Sequence, residues 1–402
     1  MQGVSGTDKQ ELTEANRQDL TKQNFINKYT ALLFAVVFSA ALLIVRVSLF
    51  YHEWGDYTYF LQPWLATYRT MTFWEGLGTV VGNYNPPYMY LLNIISRINL
   101  PELVLIKSVS VFCDFLIAFF VMKIVSLRTK SYYIRLLAFV LTLAIPNVIL
   151  NSSMWGQCDA VYSAFAIGAV YFGLKERSRL VYVFFALAFS FKMQAAFLMP
   201  MIPVFIFMKK IRIKDCYWFF IVYFATLLPA IFAGMPVGTV LATYTNQADT
   251  YSWLSINIAN VWSFTRNLPY EHFVTAGLFV AGSAILGLLC FTWVNRKRLV
   301  DTADFVRLAY LFSVLMVFLL PKMHDRYYFL ADLLSLLVFL FDKRRWFVPV
   351  ISIFCSYISY AWFLMGAFEV IDFRIAAFAM LFVIIVVLRD YVKSLSNVRK
   401  EC

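Results

Sequence analysis

Asp56 is the first of several ionisable side chains in this sequence that could take part in the transfer of a group. It stands in HEWGDYTYF, inside a long aromatic stretch that directly follows the first hydrophobic run. A carboxylate held among aromatic side chains at a membrane surface could accept the proton of an attacking hydroxyl group. The alternative is structural, because Gly-Asp before an aromatic helix is also a plausible N-cap.

A second candidate cluster is PKMHDRYYF, residues 321–329, at the end of a later hydrophobic run. The other loops on the same side of the membrane are predicted to carry few basic residues, so the basic residues of this cluster are unexpected there. An anion such as a lipid phosphate would compensate their charge. His324 and Arg326 could stabilise the negative charge that grows on a departing phosphate. Alternatively, Asp325 pairs locally with Lys322 or Arg326, and the cluster contacts anionic headgroups.

Two further segments place polar side chains at the ends of hydrophobic runs. WGQCD, residues 155–159, puts Gln157 and Asp159 in a first helical turn, where a carboxylate also suits the helix dipole. A carboxylate just inside a membrane boundary is a functional candidate. FKMQ, residues 191–194, offers Lys192 as a second phosphate contact beside Gln194, although a snorkelling lysine explains the same pattern.

Aromatic and amide side chains accompany these charged groups. Trp54 and Tyr57 flank Asp56, and Asn257 lies in a segment, residues 244–262, that is rich in Asn, Gln, Tyr and Trp. Such side chains stack on sugar faces and hydrogen-bond to hydroxyl groups, but an ordinary interfacial loop has the same composition. We predict that the substrate-binding residues are Asp159, Gln157, Gln194, Trp54, Tyr57 and Asn257.

The composition indicates which elements position these residues. The 402 residues are 61% hydrophobic and 14% charged, and the mean hydropathy is +0.71. A soluble domain has about 45–50% apolar and about 25% charged residues. The apolar runs do not alternate and are long enough for helices, which predicts an all-α polytopic membrane protein with about 12 transmembrane helices (roughly 11–13). The first outer loop, residues 51–88, is expected to contain interfacial helices.

The net charge of +12 does not indicate nucleic-acid binding, because the basic residues form short clusters between hydrophobic runs, as inward-facing loops do. These clusters predict that both termini are cytosolic and that segment 180–208 is two short helices turning at Lys192–Gln194. They also place the candidate segments together on the outer face. Arg46, near the far end of the first run, could either snorkel or bind an anion, and we predict that it snorkels.

The same clusters divide the chain into a cytosolic tail (1–28), a single transmembrane catalytic domain (29–392) and a C-terminal cytosolic tail (393–402). The tail shows no short apolar region with a small-residue cleavage site, so no signal peptide is expected. The six cysteines occur singly, without the spacing of a metal site or a disulfide framework. The sequence therefore predicts neither a metal nor a cofactor.

The order of these motifs resembles the GT-C superfamily of membrane glycosyltransferases. The fuller similarity is to bacterial proteins related to the GPI-anchor mannosyltransferases, and the more distant one is to glucosyltransferases that use dolichyl-phosphate-glucose. The resemblance covers residues 55–329 and rests on GDYTYF, NYNPPYMYLL, MWGQCDAVY, FKMQA, WLSINIANVW and MHDRYYF. Asn85 departs from it, because many relatives carry an Asp before the Pro-Pro pair.

The resemblance implies an inverting hexosyltransferase that uses a polyprenyl-phosphate sugar donor in the plasma membrane, with its active site on the extracytoplasmic face. Asp56 would be the general base, and His324 with Arg326 would contact the donor phosphate; Lys192 and Lys322 are further candidates for that contact. The acceptor would be a glycan, a lipid-linked molecule or another hydroxyl compound, and membrane lipids would surround the helices. The alternative is a transporter or flippase of lipid-linked sugars.

Overall fold

A computed structural model of the chain describes residues 28–248, 252–265, 268–366 and 371–397. The described part is almost entirely helical, and the predicted tails lie largely outside it. The α-helices, in chain order, are α1 (Lys28–Ser48), α2 (Gln62–Arg69), α3 (Phe73–Gly78), α4 (Pro86–Ile95), α5 (Glu102–Val125), α6 (Tyr132–Leu143), α7 (Pro146–Ile149), α8 (Asp159–Leu174), α9 (Ser178–Phe191), α10 (Met201–Phe207), α11 (Tyr217–Phe232), α12 (Val237–Ala248), α13 (Tyr270–Val294), α14 (Thr302–Leu319), α15 (Phe329–Phe341), α16 (Phe347–Met365) and α17 (Phe373–Asn397).

Shorter elements connect these helices. Two π-helical segments are Tyr57–Leu61 and Leu150–Trp155, and the strands are β1 (Ser255–Ile256) and β2 (Met323–His324). The 3₁₀ segments are Met193–Phe197, Ile213–Cys216, Val261–Thr265, Arg296–Arg298 and Lys343–Arg345. The stretch predicted as the first outer loop, residues 51–88, contains the short helices α2 and α3 and the start of α4.

The described residues form a polytopic membrane protein with seven helical segments long and apolar enough to cross a bilayer. An eighth candidate is the pair α6 and α7 with its π-helical extension, which bends by 53°. Four further apolar helical segments of the described residues are only 10–17 residues long. A straight span needs about 20 residues, so the predicted number of twelve exceeds what these lengths support directly.

The predicted break inside segment 180–208 is confirmed. Helix α9 ends at Phe191, Lys192 is extended with φ −155° and ψ 134°, and a 3₁₀ turn starts at Met193. The side chain of Lys192 leaves this break and pairs with Asp159 at the start of α8. The break therefore directs a buried cation to one end of the bundle.

The prediction that Arg46 snorkels is wrong. Arg46 on α1 is fully buried, and its Nε lies 3.3 Å from Asp114 Oδ2 on α5. Its Nη2 donates to the carbonyl of Leu143 (2.7 Å), and Ser152 Oγ donates to the same carboxylate (2.6 Å). A buried guanidinium requires such compensation, and here it joins α1, α5 and the bent α6–α7 pair.

Lys107 fixes the chain just before Asp56. Its buried side chain on α5 donates three hydrogen bonds to carbonyl groups that follow α1: those of Leu49 (3.2 Å), Phe50 (3.0 Å) and His52 (2.6 Å). Carbonyl groups at a helix C-terminus lack helical partners, and a lysine can satisfy them. The segment that carries Asp56 is thereby anchored to α5.

The segment before α13 is anchored to the loop between α14 and α15. Strand β1 pairs in parallel with β2, and Ile256 lies opposite His324. Tyr328 Oη donates to the carbonyl of Ala259 (2.8 Å), and Trp262 Nε1 donates to that of Leu319 (2.7 Å). These contacts bring two segments far apart in sequence to the same end of the bundle.

Candidate functional site

A cavity of about 510 Å³ opens at this end of the bundle, where the connections between helices meet. Its polar wall combines carboxylate, amide, imidazole and cationic side chains, and aromatic rings complete it. Of the residues singled out from the sequence, those that line the cavity are Asp56, Gln157, Lys192, Gln194, Asn257, His324 and Arg326. The structure thus brings together groups from five separate parts of the chain.

The carboxylate of Asp56 faces α8 and not its own helix. Asp56 has helical φ and ψ angles ahead of the π-helical segment Tyr57–Leu61, and its side chain makes no capping hydrogen bond. Instead, Oδ2 accepts hydrogen bonds from Trp155 Nε1 (3.0 Å) and Gln157 Nε2 (2.5 Å). The alternative that Asp56 is a helix cap is therefore wrong. Trp155 ends the second π-helical segment and Gln157 follows it; such helical distortions are frequent at functional sites.

Trp155 connects Asp56 to the cationic side of the cavity. Its indole is buried and donates to Asp56, while the guanidinium carbon of Arg326 lies 5.1 Å from the centre of its ring. The ring stacks on Phe363, with centroids 4.4 Å apart, and meets Tyr360 edge to face at 5.6 Å. These contacts fix the indole, and with it the relative position of the acid and the guanidinium.

Asp159 lies behind the cavity wall and holds both cations. It is fully buried, and Lys192 Nζ lies 2.5 Å from Oδ1. On Oδ2 it accepts a hydrogen bond from Asn151 Nδ2 (3.0 Å), and Arg326 Nε is 3.6 Å away. The predicted direct contact of Asp159 with substrate is untested, but its observed contacts are those of an anchor.

Burial and neighbouring charges set the ionisation of residues 324–326. Burial, with the positive charges of Arg326 and Lys192, lowers the pKa of His324 to about 3. Burial raises the pKa of Asp325 to about 7, although Arg326 opposes this shift. Burial disfavours the charged form of Arg326, but Asp56 and Asp325 keep its pKa well above the usual range. At neutral pH the cluster therefore holds a neutral imidazole beside a permanent cation.

We expect Asp325→Asn to change how stability depends on pH. The pKa of the folded carboxyl is about 7, whereas an unfolded carboxyl ionises near its ordinary pKa of 3.8. The stabilising contribution of the protonated Asp325 is therefore lost as pH rises from about 4 to about 7. The melting temperature of the Asn variant minus that of wild type should therefore be larger at pH 8 than at pH 5. An equal difference at both pH values would contradict the assignment.

Besides Asp159, three of the candidate residues lie outside the cavity lining. Lys322 has a left-handed φ of 62°, and its ammonium lies 5.0 Å from the centre of the Tyr270 ring. Trp54 packs against the small apolar cluster that contains Leu150 and Trp155. Tyr57 is buried and donates to Glu102 Oε2 (3.4 Å). Tyr57 and Trp54 thus fix the segment around Asp56, whereas Lys322 contacts Tyr270.

Gly156 is required between the two residues that donate to Asp56. Its φ is +78°, and a Cβ there would lie 3.4 Å from Lys107 Cε. Gly156→Ala should lower the free energy of unfolding by about 1–2 kcal/mol, because an L side chain is strained in this conformation. Gly282→Ala is the control: Gly282 lies within α13 and a Cβ would meet nothing within 4 Å, so little loss is expected. Unfolding in a detergent series compares the two; equal effects would contradict this role.

Other lining residues were not assigned from the sequence. Trp64, Tyr84 and Tyr88 come from the aromatic stretch and the Pro-Pro segment, while Trp362 and Phe363 belong to α16 and carry no motif. Among the described residues, no group of three or more His, Cys, Asp or Glu side chains is arranged to hold a metal ion.

Comparison with known proteins does not place the chain in a family. No protein-family model matches the sequence, and no curated protein matches it.

Proposed function

We propose that the protein is a membrane glycosyltransferase of the GT-C type that moves a hexose from a polyprenyl phosphate to a hydroxyl acceptor. The observation that carries this proposal is that Asp56 lines the same cavity as Lys192, His324 and Arg326. A proton acceptor and a set of groups suited to an anion are the two requirements of substitution at a sugar–phosphate bond.

Asp56 is the proposed general base. The acceptor oxygen forms a bond to the anomeric carbon as the bond from that carbon to the phosphate oxygen breaks, with inversion of configuration. The acceptor proton passes to Asp56 Oδ1, and the electron pair of the broken bond leaves with the phosphate. Hydrogen bonds from Trp155 and Gln157 to Oδ2 orient the carboxylate for this role.

Lys192, Arg326 and His324 are the proposed phosphate contacts. The reaction turns a phosphodiester into a phosphate monoester, so negative charge increases on the leaving group. Arg326 can donate several hydrogen bonds to such a group, and Lys192 reaches the same cavity from the break after α9. A bound phosphate would also favour the protonated form of His324, whose pKa is lowered by burial and by the neighbouring cations.

The cavity lining suits a sugar between these two sides. Trp64, Tyr84, Tyr88 and Phe363 offer ring faces, and Gln194 offers an amide. We further propose that the short apolar helices α8, α9, α10 and α15 complete about 12 spans. Because a cavity occupies their end of the bundle, these helices need not reach the bilayer surface. In this proposal the site lies on the extracytoplasmic face of the plasma membrane.

A proteoliposome assay tests this proposal against the alternative of a flippase. Purified protein is supplied with a radiolabelled polyprenyl-phosphate hexose and a panel of hydroxyl acceptors, and two products are measured: released polyprenyl phosphate and donor that has crossed the bilayer. Transfer with stoichiometric release of polyprenyl phosphate is expected. Rapid crossing of intact donor without release would favour the flippase.

A further inference from the structure

A second charged cavity lies at the opposite end of the bundle from Asp56. Helix α14 ends just before the loop that carries His324, so its first turns, including Arg307, are at the far end. Helix α15 leaves that loop and ends at Phe341, next to the same far end. A cavity of about 350 Å³ is found there, lined mainly by basic side chains from α14, α17 and the connection between α15 and α16.

This basic cavity has an uncompensated positive charge. Its cations are Arg307, Arg344, Arg345, Arg389 and Lys393, against the carboxylates of Asp342 and Asp390. Arg307 also pairs with Asp304 (2.6 Å), so a net charge of +2 remains. The carboxylates are already engaged: Arg344 binds Asp342 with two hydrogen bonds of 3.0 Å, and Arg345 pairs with Asp390.

Arg389 and Lys393 supply the charge that remains. Both are exposed, they lie one helical turn apart on α17, and neither pairs with a carboxylate of the described residues. A group of fixed guanidinium and ammonium donors around a cavity of this size suits the oxygens of a phosphate.

Two apolar stripes lead from the basic cavity along the outside of the bundle. On α17 the exposed residues Phe378, Phe382 and Ile385 share one face with Arg389, because their spacings are four, three and four residues. At the start of α16 the corresponding exposed residues are Trp346, which precedes the helix, and Val350 and Phe354 within it. The rings of Phe347 and Phe382 lie 6.1 Å apart, so the stripes are adjacent.

We propose that this cavity binds the headgroup of an anionic phospholipid whose acyl chains lie along the two apolar stripes. The positive charge of the cavity favours an anion. The exposed apolar side chains that continue from the cavity along two candidate spans favour a lipid over a soluble ion. Basic cavities between transmembrane helices recognise acidic lipid headgroups in this way. The proposal is independent of the reaction assigned to the first cavity.

Lipid titration followed by native mass spectrometry of the full-length protein tests the proposal. Wild type should bind phosphatidylglycerol in preference to phosphatidylcholine. Arg389→Gln combined with Lys393→Gln should weaken phosphatidylglycerol binding roughly 10- to 30-fold, because two nearby charges are removed, and should leave phosphatidylcholine binding unchanged. If the double variant does not fold, Lys393→Gln alone should give a smaller loss of the same kind.

The control is Lys175→Gln combined with Arg177→Gln. These exposed residues follow α8 at the same end, so the variant loses equal charge outside the cavity. It should bind phosphatidylglycerol as wild type does. The proposal is overturned if the control variant loses as much affinity for phosphatidylglycerol as the cavity variant, or if wild type binds the two lipids equally well. It is also overturned if inorganic phosphate competes as well as phosphatidylglycerol, which would indicate a simple anion site.

Discussion

Asp56→Asn should lower the rate of sugar transfer by about 10²- to 10⁴-fold, the range expected when a general base is removed. The substitution keeps the shape of the side chain, and the amide oxygen can still accept hydrogen bonds from Trp155 and Gln157. Binding of the donor should therefore persist while turnover is lost. The measurement is the initial rate of transfer from a polyprenyl-phosphate hexose, together with donor binding by the same protein.

Glu53→Gln provides the control for this experiment. Glu53 is an exposed acid three residues before Asp56 and does not belong to the cavity lining. Its neutralisation changes the charge of the same segment, so a transfer rate close to that of wild type is expected. Transfer by the Asp56→Asn variant at the wild-type rate would remove Asp56 from the proposed mechanism.

Asp159→Asn should be the most destabilising of the charge substitutions around the site. Its carboxylate is fully buried and compensates Lys192, which is itself buried, as well as Arg326. Removing one partner of such a pair leaves a buried charge uncompensated, at a cost of about 3–5 kcal/mol. The free energy of unfolding in a detergent series should fall by that amount.

Asp301→Asn is the matched substitution at an exposed ion pair. Asp301 lies 3.3 Å from Arg128, and both side chains are about half exposed. Its hydrogen bond to the amide of Ala303 at the start of α14 can be made by asparagine as well. A loss of about 0–1 kcal/mol is therefore expected. Similar losses for the two variants would show that Asp159 does not anchor the cations.

The sequence was sufficient to predict the segments that meet at the cavity, because charge clusters and hydrophobic runs are local patterns. The break at Lys192 followed from basic clusters on both sides of a run too long for one helix. Asp56, His324 and Arg326 line one cavity because the helical connections alternate between the two ends of the bundle.

The orientation of individual side chains was not predictable in the same way. Trp155 resembles any aromatic residue at a membrane boundary, and only the tertiary contacts show that it lies between Asp56 and Arg326. Lys322 belongs to the same motif as Arg326, but its left-handed backbone directs it to Tyr270. Arg46 was expected to snorkel because its partner, Asp114, is 68 residues away in the sequence.

The lengths of the helices could not be predicted from hydropathy either. A run of apolar residues predicts a span without showing where a bend or a turn shortens it. Residues 321–328 form strand and turn structure, so α15 begins only at Phe329 and has 13 residues.

A structure of the protein with a non-reactive phosphonate analogue of a polyprenyl-phosphate hexose is the most direct test of the proposed site. The phosphonate oxygens should lie at hydrogen-bonding distance, about 2.7–3.2 Å, from Arg326 and Lys192. The anomeric carbon should face the side of the cavity that carries Asp56. An analogue bound with its sugar against Arg326, or bound outside this cavity, would contradict the assignment of Asp56 as base and of the cations as the phosphate site.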